Sequence, residues 1–234
     1  MFCADGCPEN FQQLNILAET DHFRLTTTPY PKSPGQLIIV PKPHIATFAD
    51  VPLAWHRELR DLIAKAMRFH TEMYGAETCL REQGSHERQS VHHAHLHLLP
   101  VREPVTLPGG LGVRSARDWR DVARFRLHRG DYYYIQFREK RRIMHHRSDA
   151  VIVAERALCE AISGRWDSEK REPAGDTSPA GRIALADLVD RWRAWECAQR
   201  KAPPTVTSGA GGRQPNAAMT SPDPGSGAGR EISA

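Results

Sequence analysis

The sequence predicts a domain of mixed α and β structure followed by a polar tail. Three observations carry this reading. Residues 13–46 hold short β-rich runs, above all LIIV at 37–40 between Gly35 and Pro41. Residues 53–74 set Leu53, Leu59, Leu62, Ile63, Ala66 and Met67 at helical spacing. After Gly164 the composition shifts, and residues 202–234 are rich in Pro, Gly, Ser, Ala and Thr.

The elements follow in order. ETCLREQG (77–84) and QSVHHAHLHLLPV (89–101) read as two strands joined by a polar turn at 84–88. A helix is expected around 116–127, then strands around 131–137 and 142–146. The run SDAVIVAERALCEAIS (148–163) reads as a second helix capped by Ser148 or Asp149. Residues 165–180 read as a linker. Residues 181–201 read as a short amphipathic helix, with Leu185, Leu188, Val189, Trp192 and Trp195 on one face. The stretch 202–234 cannot bury enough apolar surface to order itself, so a disordered C-terminal tail is expected.

The 234 residues include 40% hydrophobic ones, enough for a sizeable core. The net charge of +4 suits an anionic ligand and does not call for nucleic acid. No apolar run approaches the ~18 residues of a membrane span. The opening MFCADGCPEN lacks the basic and apolar regions of a signal peptide. Five cysteines, odd in number and scattered, argue against a disulfide framework. A cytoplasmic protein is expected.

The segment SVHHAHLHLLP (90–100) carries His93, His95 and His97 on alternate residues. In a strand, residues i, i+2 and i+4 share a face. The outer two then lie roughly 13 Å apart at Cα, which makes it hard for all three to bind one metal, although an i, i+2 pair could. An imidazole flanked by two others suits phosphate chemistry: the central ring attacks phosphorus and its neighbours steady the charge. The plain alternative, a polar strand face, does not account for strict alternation with apolar spacers. His92 falls on the opposite face and reads as structural.

The run His93-Ala94-His95-Leu96-His97-Leu98-Leu99 resembles the signature of the histidine triad (HIT) superfamily, His-φ-His-φ-His-φ-φ. SPGQLIIVPKPHI (33–45) is similar to that family's GHxLIIPKxHI strand, and the Gly84–Ser85 turn and Gln89-Ser90-Val91 resemble what precedes its triad. The resemblance covers residues 13–100 in order. It implies an α+β fold, a HIT-like antiparallel sheet with packed helices, and pairing into homodimers. Residues 1–164 would form a HIT-like catalytic domain with a post-triad extension. The implied activity is hydrolysis of nucleotide phosphoramidate, phosphoanhydride or phosphoester bonds through a nucleotidyl-histidine intermediate. His95 would be the nucleophile, His93 and His97 its catalytic partners, and Gln89 and Ser90 substrate-binding residues. The partner is then a nucleotide or another phosphorylated small molecule. A nucleotidyltransferase or phosphorylase, or a non-catalytic nucleotide-binding scaffold, are the alternatives, and a metal-dependent β-barrel enzyme with His-x-His ligands is a further rival. Three positions depart from the family. Gln36 stands at a usual histidine, Thr28 at a ribose-binding aspartate and Glu82 at an asparagine.

No cofactor is required for this chemistry. Some branches hold a structural zinc, and the matching set is Cys3, Cys7, His44 and His93, a Cys2His2 tetrahedron. CADGC has one residue more than the usual Cys-x2-Cys, and two ordinary thiols are the alternative. Cys79 and Cys159 read as core residues. YYYIQFREKRR (132–142) combines tyrosines with a basic run and reads as a solvated hairpin whose tyrosines pack on one side, rather than as a base-stacking surface.

Overall fold

Short β-rich segments separated by turn residues pair into one antiparallel sheet. This is seen in a computed structural model of the chain, which describes residues 15–85, 91–164, 166–167, 172–176 and 178–201. The strands are β1 (Ile16–Glu19), β2 (Phe23–Thr27), β3 (Leu37–Pro41), β4 (Glu77–Gly84), β5 (Leu96–Val101), β6 (Arg114–Ser115), β7 (Tyr132–Phe137) and β8 (Lys140–His145). Their order across the sheet is β1-β2-β3-β5-β4-β7-β8-β6. The helices are α1 (His56–Tyr74), α2 (Trp119–Arg129), α3 (Asp149–Ala161) and α4 (Pro179–Lys201). A two-stranded ribbon, β9 (Trp166–Asp167) with β10 (Glu172–Pro173), follows α3. The architecture is α+β, as expected. The tail at 202–234 and the turn residues 86–88 lie outside the described residues. Among those described, no helix is long and apolar enough to cross a membrane.

Strand periodicity sorts the side chains into two cores. Leu25, Leu37, Leu80, Leu96, Leu98, Tyr132 and Tyr134 point to the face covered by α1 and α2. Cys79, Leu99, Val101, Tyr133, Ile135 and Phe137 point to the other face, beneath Val151, Ala154 and Leu158 of α3. The three tyrosines therefore do not share a side. They alternate, because a central strand covered on both faces buries every residue. Cys79 and Cys159 are buried free thiols.

The amphipathic helix expected at 181–201 is α4, and it packs into the first core. Phe69 of α1 lies 4.8 Å from Trp192 and 5.4 Å from Trp195, ring to ring. The Trp192 indole donates to the Leu17 carbonyl at 3.1 Å, and that of Trp195 to Glu72 Oε2 at 2.6 Å. Between α3 and α4 the chain is not featureless: β10 packs on α3, and the Asp176 N–H donates to the Pro31 carbonyl at 2.8 Å.

Two buried carboxylates need partners. Glu155 on α3 accepts from Arg81 Nε at 2.5 Å, with both side chains almost wholly shielded. Glu82 on β4 accepts from the Phe48 N–H at 2.7 Å and the Tyr132 hydroxyl at 2.6 Å. Gly84 leaves room for this, since a Cβ there would come within 2.2 Å of the Tyr132 ring. Burial pushes the Glu82 carboxyl up to about 7.

Two stability predictions rest on these groups. Glu155→Ala leaves the Arg81 guanidinium buried without its carboxylate and should cost about 3–5 kcal/mol, read by urea denaturation. A double replacement by apolar residues of similar volume should recover most of that loss. For Glu82, the native state keeps its proton up to about pH 7 while the unfolded chain releases its own near 4.5, so stability from this group falls as pH rises through that window. Glu82→Gln removes the effect, so its stability relative to the natural protein should rise by about 3 kcal/mol between pH 4.5 and 7.5. A pH-independent difference would mean the carboxyl is not shielded as described.

Candidate active site

Three chain segments meet at the triad: the end of β3, the start of β5 and the middle of β4. The triad is not one continuous strand, contrary to the sequence expectation. β5 begins only at Leu96, and residues 91–93 form a bend. The reason lies in the partners of the approach segment. The Ala94 N–H donates to the Ile45 carbonyl at 2.7 Å, and His93 Nε2 donates to the Pro41 carbonyl at 2.8 Å. These groups lie at the last residue of β3 and beyond it, so the chain before Leu96 follows residues 41–45 rather than the ladder. His92, expected on an apolar face, is exposed in this bend.

His97 is the one triad residue within the strand, opposite Ile38 on β3 and Arg81 on β4. Leu96 and Leu98 point to the α1 face, so His97 points to the other. Its Nδ1 lies 2.8 Å from Gln36 Nε2. Gln36 is buried and accepts the Lys32 N–H on Oε1 at 2.6 Å. That orients the amide, whose NH2 then donates to His97 Nδ1. His97 accordingly carries its proton on Nε2. Burial holds His97 well below the usual histidine pKa, helped by the charge of Arg81 and by His95. The Gly35 φ of +86°, readily adopted by glycine, turns the chain so that Gln36 enters the interior.

His95 lies beside it, ring centroids 5.0 Å apart and nearly perpendicular. His95 Nδ1 donates to the His93 carbonyl at 2.8 Å, since a carbonyl only accepts. In the neutral ring that leaves the lone pair on Nε2. His93 itself is buried, and burial lowers its pKa, with His44 adding to the effect.

The structure thus brings His95 and His97 together and sets His93 behind them as a brace. Gln89 and Ser90 lie outside the described residues. So do Cys3 and Cys7. Of the expected zinc set, His44 and His93 are adjacent, ring centroids 5.3 Å apart. Among the described residues no group of three His, Cys, Asp or Glu side chains is placed to hold a metal. A zinc held there would take His93 through Nδ1, its Nε2 being held by the Pro41 carbonyl.

The three departures from the family pattern now have physical settings. Gln36 does for His97 what any side chain with a donor at that place can do. Glu82 is turned away from the triad into the α1 and α2 core, and Thr28 is buried, its hydroxyl accepting from the Tyr30 N–H at 3.4 Å. The Arg81–Glu155 pair beside His97 was not anticipated. Its signal was present: Glu155 sits among Val151, Ala154 and Leu158 on the apolar stripe of α3, where a lone carboxylate implies a buried partner.

The sequence model of the HIT domain matches residues 10–104. Comparison with curated proteins returns no match. Among solved structures, the chain is similar to a Hit-like protein involved in cell-cycle regulation from Bartonella henselae, with 18% identity, 42% of this chain and 74% of that one covered, and a TM-score of 0.36. It is also similar to a Zn-bound histidine triad family protein from Mycobacterium smegmatis, with 21% identity, coverage of 47% and 78%, and a TM-score of 0.35. A third is a hypothetical histidine triad nucleotide-binding protein from Sulfolobus tokodaii, with 15% identity, coverage of 64% and 85%, and a TM-score of 0.34. With the alternating histidines in place at the start of β5, residues 10–104 of the chain match the HIT domain.

Proposed function

We propose that the chain is a hydrolase of nucleotide phosphoramidate, phosphoanhydride or phosphoester bonds, working through a covalent nucleotidyl intermediate on His95. The observation that carries this reading is the hydrogen bond from His95 Nδ1 to the His93 carbonyl. It fixes the tautomer and leaves Nε2 as the nucleophilic atom. That nitrogen attacks phosphorus, a P–Nε2 bond forms as the bond to the leaving group breaks, and the leaving group takes its proton from solvent. His97, neutral and protonated on Nε2, donates to a phosphoryl oxygen as charge builds there. Ser90 and Gln89 complete the phosphate contacts. Water then attacks the phosphorus, the P–Nε2 bond breaks, and the nucleotide leaves with the water oxygen, a proton passing to solvent and His95 returning to its neutral form. An inorganic phosphate or sugar phosphate in place of water would make the same intermediate serve group transfer, and the product distinguishes the two. No step needs a metal. A zinc held by Cys3, Cys7, His44 and His93 would brace the segment that carries His95.

The reading rests on phosphorus rather than on the nucleoside. Glu82 and Thr28 are committed to the interior and offer no side chain to a ribose.

The test is incubation with adenosine phosphoramidate, with intact-mass analysis and steady-state rates. His95→Ala should lose the adduct and at least ~10³-fold in kcat, while ligand binding largely survives. Undiminished turnover by that variant, or an adduct on another residue, would favour a scaffold or a different mechanism. Gln36→Ala frees the His97 tautomer and should lower kcat by roughly 10- to 100-fold with little change in KM, since small misplacements of a catalytic group cost that much. Equal loss in both parameters would instead mark Gln36 as a substrate contact.

A further inference from the structure

Helices α1 and α2 lie on the sheet face turned away from His97, and the space between them is not filled. An open cleft of about 670 Å3 remains there, within the range of small-molecule sites. Its floor is apolar, formed by Leu80 of β4, Tyr134 of β7 and Trp119 at the start of α2. One wall is a second stripe of α1, in which Arg60, Ile63, Ala64 and Met67 follow helical spacing. Met67 and, at the mouth, Leu53 stay open to water, with 37% and 54% exposure.

The rim is cationic. Arg57, Arg60, Arg117, Arg120 and Arg141 line the cleft, against the acids Asp118 and Glu139. Arg117 is neutralised by Asp121 at 3.0 Å, and Arg141 bonds Gln136 and the Arg117 carbonyl. Arg57, Arg60 and Arg120 make no ion pair among the described residues. Asp118 forms no ion pair with them among the described residues; its Oδ1 caps α2, accepting the N–H groups of Arg120 and Asp121 at 2.9 and 3.3 Å. Arg60 on α1 and Arg120 on α2 both line the cleft. Unneutralised cations above an apolar floor fit a ligand that is anionic at one end and apolar at the other.

We propose that this cleft binds a small organic phosphate with an apolar body, its phosphate held by Arg60 and Arg120 and its body lying on the accessible α1 stripe of Ile63, Ala64 and Met67. Other occupants fit less well. The Trp119 and Tyr134 rings are 9% and 2% exposed, so neither is offered to the stacked bases of a nucleic acid. The charges of residues 202–234 cancel, Arg213 and Arg230 against Asp223 and Glu231, so that segment supplies no net anion.

The test is calorimetric titration of the full chain with 1-naphthyl phosphate and with 1-naphthol. A saturable one-to-one binding event for the phosphate should survive His95→Ala and weaken at least ~10-fold in Arg60→Glu/Arg120→Glu, while 1-naphthol binds more weakly throughout. Undiminished binding by the charge-reversed chain overturns the site. So does displacement of the naphthyl phosphate from His95→Ala by adenosine phosphoramidate, which would place the ligand at the triad, or equal affinity for 1-naphthol, which would leave an apolar groove without anion recognition. The single variant Arg60→Gln, at an exposed position, should show a partial loss and serves if the double reversal fails to fold.

Discussion

Arg81 and Glu155 meet where neither can reach water, and much of the molecule is arranged around that meeting. Taking two charges out of water costs several kcal/mol each, so the pair persists only where geometry is held from both sides. β4 holds Arg81 between β5 and β7, and the α3 core holds Glu155. The consequence is positional. α3 is tied by a charged bond to the strand residue directly opposite His97. The segment after the triad is thereby fastened to the triad itself, and the Arg81 charge helps keep the neighbouring imidazole neutral.

That neutrality is maintained by a chain of donors and acceptors. The Lys32 N–H sets the Gln36 amide, the amide sets His97, and His97 faces His95, whose own proton is directed to the His93 carbonyl. Each link leaves one defined atom for the next. The loop that starts this chain is pinned in turn by Asp176, from the residues following the β9–β10 ribbon, through the Pro31 carbonyl.

Much of this was legible in the sequence because it depends on local pattern. Helix α1 is visible in its apolar spacing, α3 in Ser148, whose side chain does accept from the Ala150 N–H at 3.3 Å, and the triad in its alternation. What was not legible depends on contacts between distant segments. Alternation alone extends the strand back to His93, whereas Pro41 and Ile45 draw the approach segment off the ladder at Leu96. Three adjacent tyrosines look like one face of an exposed hairpin until α3 is known to cover the reverse side. Gln36 reads as a lost histidine because residue type was visible and its hydrogen-bonding role was not.

The docking of α4 onto β1 and α1 has a consequence for how the chain reaches this state. The Trp192–Leu17 bond closes a loop of 175 residues. Contacts of such separation form late, because loop-closure entropy must be met before they stabilise anything. During vectorial synthesis the outer side of Phe69 and the β1 carbonyls stay uncovered until the last helix has been made. The nascent sheet therefore waits with an open edge strand beside a bare aromatic surface, a state in which premature pairing between neighbouring chains is the principal hazard.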